Sequence, residues 1–368
     1  VSLQPSGRSA SLADVATLAG VSTGTVSRAL SRPEMISDET RLRVRTAAER
    51  LGYVANGAAR ALAMRRTMTV GAIVPRFGSS SFPTLVQALE ATLAARGYTL
   101  LLSAPDHGAS NQGEILRALL GRGVDAVALL GAAQPREVFT MLAAQGTPFV
   151  MMWGAGSTEG PCVGFDESAA ASLVIDHLAD LGHRRIGFIG GRTADNERAR
   201  SRFAGLTQAI ARRGLILDHE ACIETDYGFR EGCDAMGRII QRRRPISALV
   251  CGNDYLAAGA LSALDGAGVA VPARWSVASF NDNDFAPYLH PALTTVRLPI
   301  REIGEAAGRF LLARLQGDAA PRAPTDLPVR LIVRASTGPA PGDSARQPGA
   351  RSRLPTGTGA GKRTLSSP

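Results

Sequence analysis

Between two short apolar clusters near the start of the chain sits a run of small hydrogen-bonding residues, Ser22, Thr23, Gly24, Thr25, Ser27 and Arg28. The guanidinium of Arg28 carries parallel N–H donors that fit the O6 and N7 acceptors of guanine, a match worth about 1–3 kcal/mol of discrimination against other bases. The hydroxyls of Ser22 and Thr25 suit phosphate oxygens, which fix register without reading sequence. Covalent chemistry is much less visible. The five histidines form no Ser/His/Asp arrangement, and no paired carboxylates emerge. Gly187, Gly190 and Gly191 in GFIGG do not make the G-x-G-x-x-G fingerprint of a dinucleotide site. Cys162, Cys222, Cys233 and Cys251 show no C-x-x-C pair and no histidine at metal-ligand spacing, so they read as reduced, mostly buried thiols. No cofactor and no metal is expected, and no enzymatic turnover.

The polar run needs a scaffold, and its flanks supply one. Leu12, Val15, Ala16 and Ala19 recur at helical spacing, Gly20 ends that helix, and Ser22 is placed to cap a second one with Val26, Ala29 and Leu30 inward. That leaves Thr23, Gly24, Ser27 and Arg28 outward, the pattern of a helix-turn-helix. An ordinary helical hairpin with a solvated arginine is the alternative. A third helix, capped by Ser37 and opened by Asp38 and Glu39, packs through Leu42, Ala47, Ala48 and Leu51 and closes at Gly52. Next, Asn56 can cap a helix over roughly 57–63, too short to be stable alone. Ala58, Ala59 and Ala61 would let it lie close to a partner helix or in a groove. Leu62 is then either an apolar wedge between base pairs or part of a plain interdomain linker.

Charge separates this head from the rest. Residues 1–66 carry ten arginines against five acids, residues 339–368 carry four arginines and Lys362 against Asp343, and the section between is neutral. A basic head on a neutral body points to a polyanion for the head alone. No stretch approaches the roughly 20 apolar residues of a membrane span, and VSLQPSGRSA has no secretory core. A cytoplasmic chain with no membrane partner is the expectation. After Ser336 the sequence is rich in Pro, Gly, Ser and Arg, and is expected to be disordered.

From Met68 the pattern alternates short apolar strands (70–75, 98–104, 125–130, 148–153) with amphipathic helices, then restarts after Glu167 with strands at 185–191, 221–225, 248–254 and 275–282. Repeated strand–helix units mean parallel sheets covered on both faces, and two runs of them mean two lobes.

The stretch LADVATLAGVSTGTVSRALSRPEMISDETRLRVRTAAERLGYVANGAARAL closely resembles the head of the LacI/GalR-type bacterial repressors, and VGFDESAAASLVIDHLADLGHRRIGFIGG, VCGNDYLAAGAL and VPARWSVASFNDND resemble their periplasmic-binding-protein-like core. The resemblance implies an all-α helix-turn-helix head (11–55), a hinge helix (56–67) and an α/β bilobed effector-binding core of two parallel-sheet lobes (68–338). Residues 1–10 and 339–368 remain as tails. Lobe 1 is expected at about 68–164 and 293–325, and lobe 2 at about 165–288 and 328–338. The three crossings fall near 163–166, 286–293 and 325–329. By the same resemblance Thr23, Gly24 and Arg28 read bases and Leu62 intercalates. Asp166, Arg202, Asn253 and Asn281 contact the effector from the second lobe, and Ser81, Phe82, Asp226 and Tyr227 reach the same cleft. Gly24 stands where a longer side chain is common, and Asn281 where an aspartate is. Asp166 could instead cap a helix, and Arg202 could pair with Asp195 or Glu197. The implied function is a ligand-responsive transcription regulator. It would bind a pseudo-palindromic double-stranded operator as a homodimer, with a sugar or sugar derivative as effector. The tail lacks the leucine heptads that make some relatives tetramers. A purine-responsive regulator is the alternative; an uptake binding protein and a dinucleotide enzyme are remoter ones.

Overall fold

Three serines open the three helices of the head. The computed structural model describes residues 9–54, 57, 61, 66–74, 81–104, 111–154, 159–194, 196–317 and 323–342. Helix α1 (Leu12–Ala19) begins with a capping box in which Ser11 and Asp14 exchange hydrogen bonds. It ends at Gly20, whose φ of 64° permits the sharp turn. Ser22 accepts from the Thr25 N–H to open α2 (Thr23–Ser31), and Ser37 from the Thr40 N–H to open α3 (Asp38–Leu51). Val15, Ala16, Ala19, Val26, Ala29, Val44 and Ala47 form the small core. The inward assignment of Leu42 and Leu51 does not hold: both are exposed, and Val44 takes the central place. Leu42 is two residues, or about 200°, out of phase with Val44 on the helix.

The first sheet is parallel throughout, ordered β2-β1-β3-β4-β5. Its strands are β1 (Thr69–Ile73), β2 (Thr99–Ser103), β3 (Ala126–Leu130), β4 (Phe149–Met152) and β5 (Cys162–Val163), alternating with α4 (Phe82–Ala94), α5 (Gln112–Gly121) and α6 (Arg136–Gln145). The second sheet is ordered β11-β10-β9-β8-β6-β7. It holds β6 (Arg185–Gly191), β7 (Ile216–Thr225), β8 (Ala248–Cys251), β9 (Ser276–Asn281), β10 (Thr294–Arg297) and β11 (Arg330–Ile332), with α7 (Glu167–Asp180), α8 (Glu197–Arg212), α9 (Phe229–Gln241) and α10 (Asp254–Gly266) packed on it. Helices α9 and α10 cross so closely that a Cβ on Gly259 would lie 1.9 Å from the Phe229 carbonyl oxygen. Helix α11 (Ile300–Gln316) returns to pack on α4 in the first lobe.

Three expectations change here. Strand β10 pairs with β9, so the second crossing comes at Leu298–Pro299 rather than within 286–293, and 294–297 belong to lobe 2. Strand β11 is antiparallel to β10, an exception to the all-parallel reading. Residues 337–340 are ordered against lobe 2: fully buried His183 contacts Ser247, Ser276 and the Gly338 carbonyl, and the Ala340 N–H donates to Leu181. Backbone groups and the Thr337 hydroxyl, bonded to His177 and Thr294, hold this segment, which is why its lack of apolar side chains misled. Residues 343–368 lie outside the described residues.

Candidate nucleic-acid interface and effector cleft

On α2 the side chains of Thr23, Ser27 and Arg28 are exposed along with Gly24, whereas Val26 and Ala29 are buried. Ser22 is exposed and shares a 2.9 Å hydroxyl contact with half-buried Thr25. A Cβ at Gly24 would lie 3.9 Å from an Arg28 guanidinium nitrogen, an ordinary contact distance, so Arg28 folds back along the helix over this position. The C-terminus of α1 is held by Arg43, which donates to the Ala19 carbonyl at 2.9 Å and to Gly20 at 3.3 Å. That guanidinium fixes α3 against the turn and offsets the negative end of the α1 dipole. Asn56, Ala59 and Leu62 fall outside the described residues; Gly57 and Ala61, between them, are helical.

Most of the remaining candidates gather where the carboxyl ends of both sheets face each other. The centre of the junction is Glu167, which the sequence reading passed over. Its carboxylate accepts from Arg202 Nε and Nη2, both at 2.9 Å, and from Trp153 Nε1 at 3.1 Å. The third Arg202 donor, Nη1, is bound to the Gly252 carbonyl at 2.6 Å, and the guanidinium stacks 4.8 Å from the Phe280 ring. Arg202 is 4% exposed and Glu167 8%. Burial disfavours the charge on Arg202, but Glu167 together with Tyr227 and Asp254 outweighs it and the guanidinium pKa is raised. Arg202 thus pairs with Glu167, not with Glu197; Asp195 lies outside the described residues.

From lobe 1, Phe82 meets Trp153 edge-on at 5.7 Å, and Ser81 donates across the cleft to Asn283 Oδ1 at 2.9 Å. Asn283 in turn donates to Asp254, a carboxylate that also accepts from Ser279 and Thr295. Burial pushes the Asp254 pKa up to about 6, against the pull of these hydrogen bonds. From lobe 2, Asn253 caps α10 through the Leu256 N–H, and Asn281 ends β9 with φ 112° and a buried Oδ1 that has no hydrogen-bond partner among the described residues. Tyr227 packs against Gly191, and burial raises its hydroxyl pKa. Two candidates stand apart. Asp166 is exposed and caps α7 through Ser168, and Asp226 is exposed and paired with Arg192 at 3.1 Å. The set can hold a small polar molecule between the sheets by hydrogen bonds. Besides Glu167, the sequence reading missed Trp153, Arg198 and Asn283, and it weighed Glu197 only as a partner for Arg202.

Comparison with known proteins now settles what the head and the two lobes are. Bacterial regulatory proteins of the lacI family match residues 11–56, and the periplasmic binding protein-like domain matches 175–337. The HTH-type transcriptional repressor CytR of Escherichia coli K12 is 32% identical, over 89% of this chain and 96% of its own length. This chain belongs to the LacI family. It is a DNA-binding transcriptional regulator with a helix-turn-helix head and an effector-binding core. Its fold agrees with that of the lac repressor dimer bound to operator and the anti-inducer ONPF (TM-score 0.80, 25% identity, covering 90% of this chain and all of that one). It is also similar to the transcriptional regulator CelR in complex with cellobiose (TM-score 0.66, 28% identity, 89% and 99% covered). Among the described residues no helix is long and apolar enough to cross a membrane.

Proposed function

We propose that the chain is a carbohydrate-responsive repressor that acts in the cytoplasm as a homodimer. Two heads bind the halves of a pseudo-palindromic operator through Thr23, Ser27 and Arg28, with Ser22 and Thr25 on phosphates and Gly24 against the groove floor. Asn56, Ala59 and Leu62 form the hinge that enters the minor groove. The effector binds between the lobes among Ser81, Phe82, Tyr227, Asn253 and Asn281, with Arg202 held at the floor, and with Asp166 and Asp226 at the rim. The observation that carries the reading is the pairing of an exposed Arg28 on a rigidly capped helix with a polar junction of two lobes. The sugar complexes among similar structures support the ligand class.

A ligand shifts such a switch only through its different affinity for two lobe arrangements. Coupling of about 1–3 kcal/mol changes operator affinity roughly 5–150-fold. The test is gel-shift titration of the full chain on DNA upstream of its own gene and of neighbouring genes, with and without monosaccharides. Specific binding, changed by at least one sugar, is the expected result. Affinity no greater than for random duplex under every condition overturns the proposal.

A further inference from the structure

The cleft contains a seat for an anion, and a carboxylate of the protein itself occupies it. At the end of β3 the consecutive N–H groups of Ala132 and Ala133 both point at Glu197 Oε2, at 3.1 and 2.8 Å. Two successive backbone N–H groups converging on one oxygen form a nest that binds anions. The strand and the carboxylate belong to different lobes, so the contact spans the cleft.

The neighbouring residue supplies a cation. Arg198, on the first turn of α8, lies over the Phe82 ring at 5.4 Å. A Cβ on Gly131 would be 3.2 Å from its Nη1, and 3.6 Å from the Glu197 carboxylate. Phe82, Gly131, Glu197 and Arg198 therefore surround one point. Among the described residues Arg198 makes no ion pair, unlike Arg202, whose charge Glu167 already neutralises. Burial lowers the pKa of Arg198 against the pull of nearby acids, the mark of a cation short of counter-charge. The amino end of α8 adds its positive dipole.

We propose that the effector carries a carboxylate or phosphate group that displaces Glu197 from the Ala132 and Ala133 N–H groups and pairs with Arg198. This rests on the interlobe cleft being the effector site and names the ligand's chemical class as an acidic sugar derivative. A neutral hydroxyl gains little by displacing Glu197, because it exchanges one acceptor on the nest for a weaker one and leaves Arg198 uncompensated. An anionic group satisfies both and frees Glu197 to solvent. The same exchange breaks a bridge between the lobes and so reports occupancy.

The test is thermal denaturation of the full chain titrated with inorganic phosphate at constant ionic strength, on wild type, Glu197→Gln, Arg198→Gln and Arg198→Lys. Phosphate stabilises the wild type. Glu197→Gln, which weakens the internal competitor, responds at least tenfold more sensitively; Arg198→Gln loses the response and Arg198→Lys retains part of it. An equal response from all four proteins means an adventitious ion only, on the arginine-rich head and tail, and overturns the proposal; so does no response from any. D-Glucose 6-phosphate and D-gluconate, each compared with D-glucose, distinguish phosphate from carboxylate. If neutral sugars alone stabilise the core and alter operator binding, the cleft stands and the anionic group falls. If neither class acts, both fall.

Discussion

Glu167→Gln is the most informative single change, because it removes one charge from a pair that water barely reaches. Arg202 then keeps its guanidinium charge at 4% exposure, hydrogen-bonded to the Gly252 carbonyl and no longer to a carboxylate. Breaking a buried pair from one side costs about 3–5 kcal/mol. Glutamine still offers an oxygen to Trp153 or to the guanidinium, which puts the expected loss at the lower end, about 3 kcal/mol. Arg202→Met alone leaves the carboxylate stranded and is expected to cost a similar amount. The double variant Glu167→Leu/Arg202→Met strands no charge. It still deprives Trp153 Nε1 and the Gly252 carbonyl of partners, at about 1–3 kcal/mol each. In a cycle of Glu167→Leu, Arg202→Met and the double variant, those lost partners also appear in the singles and cancel, so the double should cost about 2 kcal/mol less than the singles summed, the stranded charge being present only in the singles. Urea unfolding followed by tryptophan fluorescence is the assay, since Trp153 reports on the site. Single variants that each cost under about 1 kcal/mol, or costs that simply add, would refute the claim that this charge is held by its partner. Such a result would also return Arg202 to the ligand as a free donor.

Other consequences can be measured separately. Arg28→Ala should weaken operator binding by about 1–3 kcal/mol and relax preference at one base pair, as seen by selection from randomised half-sites; a uniform loss across all sequences would make Arg28 a phosphate contact. Leu62→Ala should reduce specific DNA affinity in gel-shift assays and leave sugar binding by calorimetry intact. Gly259→Ala forces apart two helices already in backbone contact and should lower stability by about 1–3 kcal/mol or more in urea; no change would show that α9 and α10 separate freely. His183 is buried neutral, with its pKa lowered first by burial. Because the unfolded chain takes up a proton near pH 6.5 and the folded one only at lower pH, the stability this site contributes is present above pH 6.5 and lost as the pH falls below it. The melting temperature should drop between pH 7 and 5.5, and the slope should be shallower in His183→Gln.

What the sequence made legible was local. Ser22, Ser37 and Gly20 announce their roles because a cap needs only its own turn, and each is found doing what its position requires. The strand–helix rhythm also shows in the apolar spacing. The cleft was harder, because its bonds link distant segments: Glu167 and Arg202 stand 35 residues apart, and Glu197 reaches Ala132 and Ala133 across 65 and 64. The latter partners are backbone N–H groups, which have no residue type to recognise. Strand β10 was put in the wrong lobe for a related reason, since the short run TTVRL before Pro299 fits either sheet. Leu42 shows the opposite error, an apolar residue taken as core where only helical phase decides.

The passages between the lobes have their own mechanical meaning. One runs from β5 to α7, one at Leu298–Pro299 and one before β11. The first and third are tied directly, Gly164 donating to Pro324 and accepting from Leu327. On the lobe-2 side Asp282 binds both Arg297 and Arg334, gripping the strands next to the other two passages. A waist gripped so close to its edges bends but does not shear. Motion of the lobes about such a waist is a swivel with its pivot beside the cleft, so a small displacement at the pocket becomes a larger arc at the far end of lobe 1.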